Sequence, residues 1–231
     1  TIAWPAEMGP VLPKLALPGL KRALASFAND TGLGWDALHP QALLRLPDSL
    51  LLAFLRILFI CECRGEWPAC VATVLIVLIP TSDGGRRPIG LLPLFPRVWM
   101  RIRHDILQQW ENSSAIHRDY FYAGPARGAH VATWRQVFRA ELALLKRSAY
   151  AQALLDLVKA FERVPWHVLV REGQRLGYPL WLLRLSIATY RLARVVRVDI
   201  AVSCFIFQHR GIVAGSVNAT AELKLIMIRI V

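Results

Sequence analysis

The chain has 231 residues, enough to bury a sizeable core in one large domain or two small ones. Its 28 Lys and Arg residues against 16 Asp and Glu leave a net charge of +12, which favours a polyanionic partner, either nucleic acid or an anionic membrane surface. Mean hydropathy is high at +0.38, yet the richest apolar stretch, 48–63, carries Arg56 in its middle, and no uninterrupted piece reaches the roughly 20 residues of a spanning helix.

In chain order, "PGLKRALASFAND" (18–30) reads as a helix with proline early and Asn/Asp at its exit. "TGLGWDALHPQALLRLPDS" gives a glycine-rich turn and a short helix, after which Asp48 and Ser49 are placed to cap an apolar helix through Ile60. "EWPACVATVLIVLIP" predicts a turn and a buried strand at 69–79. An Asp-Gly-Gly turn, a returning strand and one helix over about 95–110 follow. Val131, Trp134, Phe138 and Leu142 recur at helical spacing, with Arg135, Arg139 and Lys146 off that stripe.

"YAQALLDL" predicts a strand at 150–157. Pro165 opens a helix that Gly177 ends, and a second helix begins at Pro179. "ARVVRVDIAVSCFIFQHRG" reads as one or two strands, and Ser216 as the N-cap of a last helix. The sum is an α+β pattern. The four cysteines, Cys61, Cys63, Cys70 and Cys204, lack zinc-ribbon spacing and a nearby His. They are expected to be reduced and mostly buried, as in an intracellular protein.

Chemistry collects in three segments. "GGRRPIGLLP" (84–93) sets Arg86 and Arg87 at a hairpin tip, and five arginines with no acid lie between Arg86 and Arg103. Guanidinium forks at such a tip suit a polyphosphate; the plainer meaning is a solvated basic turn. "ALLDLVKAFERV" (153–164) ends an apolar run on Asp156, with Phe161 five residues later. An acid there is costly unless a cation such as Mg²⁺ meets it; the plainer meaning is a strand-end cap. "GIVAGSVNAT" (211–220) is a glycine-framed loop entering a helix, where Gly215 lets backbone approach closely.

The ordered set resembles the reverse transcriptase domain of non-LTR, LINE-like retrotransposons over roughly 34–231. "DLVKAFERV" resembles motif A, D-x-x-K-A-F-D-x-V. "RRPIGLLP" resembles the fingers motif R-P-I-x-L-L, and "GIVAGS" resembles motif B, G-x-x-Q-G. "FYAGPARGAHVATW" and "GWDALHPQAL" are similar to the family's G-F-x-x-G-R-S-T block and its G-x-D-x-x-x-P entry segment.

The resemblance implies a right-hand polymerase fold: a helical lead-in at 1–33, fingers and fingers–palm connection at 34–148, and a partial palm at 149–231. It implies that Asp156 is the catalytic, metal-binding carboxylate and that Arg86, Arg87, Phe161 and Gly215 bind the incoming deoxynucleoside triphosphate. Phe161 would act as the steric gate against ribose. A second Asp at that position, as in RNA-dependent RNA polymerases, would instead bond the ribose hydroxyl. Arg97, Arg101, Arg135 and Arg139 are expected on the nucleic-acid face. Implied partners are an RNA template and a DNA primer, with Mg²⁺ as cofactor, no membrane, and an intracellular ribonucleoprotein location, nuclear or cytoplasmic and not secreted.

Thr81, Ala214 and Glu162 depart from the family's Lys, Gln and Asp. The motif C hairpin (Y-x-D-D) and the thumb do not occur before Val231, so the chain is expected to be part of a longer polyprotein that supplies them, with room for an endonuclease. By itself it is expected to be inactive, since one carboxylate cannot organise two metal ions. The alternative is a non-catalytic nucleic-acid-binding remnant of a retroelement.

Overall fold

A computed structural model describes residues 2–82, 84–113, 128–152 and 157–230. Among these, eight α-helices accompany one four-stranded mixed sheet, an α+β architecture. The helices are α1 (Leu17–Ala25), α2 (Asp48–Arg64), α3 (Leu94–Ile102), α4 (His104–Glu111), α5 (Ala129–Leu145), α6 (Trp166–Arg175), α7 (Leu180–Tyr190) and α8 (Ala219–Ile230). The strands are β1 (Thr73–Pro80), β2 (Arg86–Leu91), β3 (Ala193–Val198) and β4 (Ala201–Val202), in spatial order β2-β1-β3-β4. No helix among the described residues is long and apolar enough to cross a membrane.

The hairpin forms where the sequence places it. β1 pairs antiparallel with β2, Leu75 opposite Leu91 and Pro80 opposite Arg86. On its other side β1 pairs in parallel with β3, Thr73 opposite Ala193. Val74 and Ile76 of β1 enter a core that also holds Leu51, Leu55 and Leu58 of α2, Val98 and Trp99 of α3, Leu183 of α7 and Leu225 of α8. Parallel pairing buries β1 on both faces, and its first four residues are accordingly buried without alternation.

Pro165 and Pro179 act as N-caps of α6 and α7, and Gly177 takes the left-handed conformation, φ +63°, between them. Ser216 Oγ accepts from the Asn218 N–H at 3.2 Å, just ahead of α8. The single helix expected at 95–110 is instead two, breaking at Arg103 (φ −87°, ψ 0°). The cause is Arg103 itself. It is buried and donates from Nε and Nη2 to the two carboxylate oxygens of Glu62, both at 2.5 Å. Its Nη1 donates to the Pro13 carbonyl at 2.7 Å, tying the N-terminal segment to α2. A buried charge has to be met in this way, and the chain turns to meet it.

Two further expectations need correction. Asp48 does not cap α2; Pro47 is the N-cap, and Asp48 pairs with Lys21 at 2.7 Å. The thiols are not mostly buried: Cys61 is, but Cys63, Cys70 and Cys204 are exposed. Cys63 belongs to the outward side of α2, where Leu50, Leu52, Ile57, Phe59 and Ile60 are exposed as well. The predicted strand at 150–157 falls partly on 153–156, outside the described residues; 150–152 and Leu157 form no strand.

Candidate active site

The site is built by three sequence-distant strings that meet at backbone distance. On the hairpin, Arg87 stands opposite Ile79 and Arg86 opposite Pro80, both side chains exposed beside the tip. Gly84 there has φ +80°, and the Thr81 N–H donates to the Gly85 carbonyl at 3.0 Å. Further along β2, the Gly90 N–H donates to the Ala214 carbonyl at 2.8 Å. This joins the hairpin string to the loop at 211–216.

Glycine is required at that joint. A Cβ on Gly90 would lie 2.4 Å from Val213 Cγ1, and one on Gly215 (φ +112°) 2.5 Å from the Gly90 carbonyl oxygen. The third string meets the same loop from the other end. The Ile212 N–H donates to the Phe161 carbonyl at 2.8 Å, and the Gly211 N–H to the Val164 carbonyl at 2.7 Å. Trp166 Nε1 donates back to the Gly211 carbonyl at 2.7 Å. Phe161 is half-buried, packed on the core at one side. A cleft of about 140 Å³ lies at this junction, lined by Pro88, Glu162, Arg194, Gln208 and Ala214 among others.

The entry segment also has a defined job. Asp36 Oδ2 accepts from the Leu94 N–H at 2.6 Å, and Gly34 sits where a Cβ would lie 2.5 Å from the Leu92 carbonyl oxygen. It clamps the turn from β2 into α3 and so fixes the hairpin's root.

Of the residues named from sequence, Arg86, Arg87, Phe161 and Gly215 lie on these three strings. Asp156 lies outside the described residues, as do residues 121–127 of the string at 121–134. Arg97 and Arg101 serve the fold: their guanidinium groups stand over the Phe27 ring at 5.4 and 4.9 Å, and Arg97 Nη2 donates to Thr31 Oγ1 at 3.0 Å. Burial pushes the Arg97 pKa down from its ordinary value, with Asp36 opposing. Arg135 and Arg139 are exposed on α5, beside Trp134 and Phe138, which are 74% and 55% exposed.

Sequence reasoning missed Glu222. It is fully buried on α8, where Oε2 accepts from Tyr190 O–H at 2.5 Å and Oε1 from Tyr178 O–H at 3.4 Å. Burial pushes its carboxyl up to about 7. The signal was available: a lone acid on the apolar side of "AELKLIMI" needs donors.

Among the described residues no cluster of three His, Cys, Asp or Glu side chains could hold a metal ion. Glu162 alone does not make a Mg²⁺ site. No protein-family model matches the chain, and no curated protein matches it.

Proposed function

We propose that the chain is the fingers and part of the palm of an RNA-directed DNA polymerase, whose task is to hold a template–primer and an incoming deoxynucleotide for in-line phosphoryl transfer. One observation carries this reading. Three strings far apart in sequence, each resembling a motif of that family, converge through the Gly90–Ala214, Phe161–Ile212 and Val164–Gly211 backbone hydrogen bonds. Arg86 and Arg87 are exposed on the hairpin strand that enters this junction, where their forks can receive a triphosphate. Phe161 is braced from one side by the core, as a ring must be if it is to exclude a hydroxyl by contact. Asp156, five residues before Phe161, is the residue to which this reading assigns Mg²⁺.

The test is equilibrium binding of a deoxynucleoside and a ribonucleoside triphosphate to the chain with an RNA–DNA template–primer and Mg²⁺. The deoxynucleotide should bind more tightly, and Phe161→Val should narrow the difference. Equal affinity for both sugars in the wild-type chain, or a preference that Phe161→Val leaves unchanged, overturns the reading.

Exposed Trp134 and Phe138 beside Arg139 on α5 favour a second, non-catalytic reading, in which that helix stacks on nucleic acid. Under it, template–primer binding falls on Trp134→Ala and shows no sugar discrimination at Phe161.

A further inference from the structure

The cleft beside the three-string junction contains a cation that the junction does not use. Arg194 lines it from β3, together with Pro88, Glu162, Gln208 and Val213. The root of the side chain is fixed, because Arg194 and Ile206 exchange both backbone hydrogen bonds, at 2.9 and 2.8 Å. Its Nε and Nη2 are sealed from solvent and have no hydrogen-bond partner among the described residues. Those two N–H groups form one edge of the guanidinium, the edge that matches two oxygens of an oxyanion. Two buried donors without acceptors are costly, and an entering acceptor pair removes the cost.

The surroundings define what that acceptor is. The cleft's volume of about 140 Å³ is enough to admit an oxyanion group. Glu162 is exposed and favours the charged form of Arg194, while burial pushes the Arg194 pKa down. With a net charge of +12, the chain favours the commonest oxyanion polymer, nucleic acid.

We propose that Arg194 is an oxyanion receptor that holds a phosphodiester group of a nucleic-acid strand through Nε and Nη2, with the charge of Glu162 opposing the anion from the same cleft. The owner of the phosphate rests on the polymerase reading; the oxyanion chemistry does not. Because both donors are out of contact with solvent, binding requires the Arg194 side chain to turn that edge toward the cleft.

The test is fluorescence anisotropy of a short single-stranded RNA of mixed sequence on the whole chain, over a salt series, with pyrophosphate binding measured in parallel. Loss of a charged hydrogen-bonded pair predicts roughly ten- to a hundredfold weaker RNA binding in Arg194→Gln. The salt slope should fall by about 0.7. Glu162→Gln, at an exposed position that leaves folding intact, should bind RNA more tightly than wild type. A merely structural role for Arg194 predicts no change in binding from either variant. Unchanged RNA affinity in both variants overturns the proposal, as does a wild-type chain that binds neither RNA nor pyrophosphate. Arg194-dependent binding of pyrophosphate without RNA keeps the oxyanion site and removes its polynucleotide owner. The polymerase reading fails separately, on the sugar preference at Phe161.

Discussion

Replacing Glu222 by Gln should abolish most of the pH dependence of stability between pH 4.5 and 7. In the folded chain this carboxyl is fully buried, the hydroxyls of Tyr190 and Tyr178 donate to it, and no cation among the described residues pairs with it. Burial raises both tyrosines well above their ordinary 10, so they remain neutral donors. Burial also raises Glu222 from 4.5 to about 7. The folded state therefore holds this proton more tightly than the unfolded chain. The stability it contributes is fully present below pH 4.5 and is lost as pH rises through about 7. The interval between those two values, at ~1.4 kcal/mol per pH unit, amounts to about 3 kcal/mol. Gln keeps an acceptor for Tyr190 and never ionises. Urea unfolding of both proteins across pH 4 to 8, read as midpoint and slope, should show the wild type losing about 3 kcal/mol more than the variant. Parallel profiles would refute the reasoning, because the buried carboxyl would then not be titrating in this range.

Three other outcomes follow from the packing. Gly215→Ala places a Cβ against the Gly90 carbonyl at a positive φ, and should cost about 1–3 kcal/mol; an unchanged thermal midpoint would contradict the close approach. Arg103→Ala strands the Glu62 carboxylate in the core, at a cost of about 3–5 kcal/mol by denaturant unfolding. Replacing both partners by apolar residues of similar volume should restore most of it. In the native chain, a thiol reagent should modify Cys63, Cys70 and Cys204 quickly and Cys61 only on unfolding, since Cys61 is buried and burial pushes its thiol pKa up. Rapid labelling of four thiols under native conditions would contradict the packing of α2.

Much of the fold was legible where local chemistry decides it. Pro165, Gly177 and Pro179 set the ends of α6 and α7, because proline and glycine act through their own backbone. The hairpin was equally visible from its glycine turn. What escaped was decided by partners far away in sequence. That the Arg97 and Arg101 guanidinium groups would stand over Phe27 could not be read from their own neighbourhood. The break at Arg103 depends on Glu62, which nothing nearby announces. The parallel partner of β1 could not be read, since β3 offers no local sign of which strand it will join. At the site, Gly90, Gly211 and Gly215 are legible as glycines, but their mutual contacts are not.

The parallel pairing of Thr73 with Ala193 also bears on how the chain is made. The β1–β2 hairpin closes on itself soon after synthesis. The other edge of β1, with its run "TVLIVLI", must wait for the five helices α3 to α7 before its neighbour emerges from the ribosome. Until then it is an unpaired, apolar ribbon of backbone, the kind of edge that recruits strangers. Expression in a cell should therefore depend on chaperone capacity during elongation more than on the stability of the finished fold.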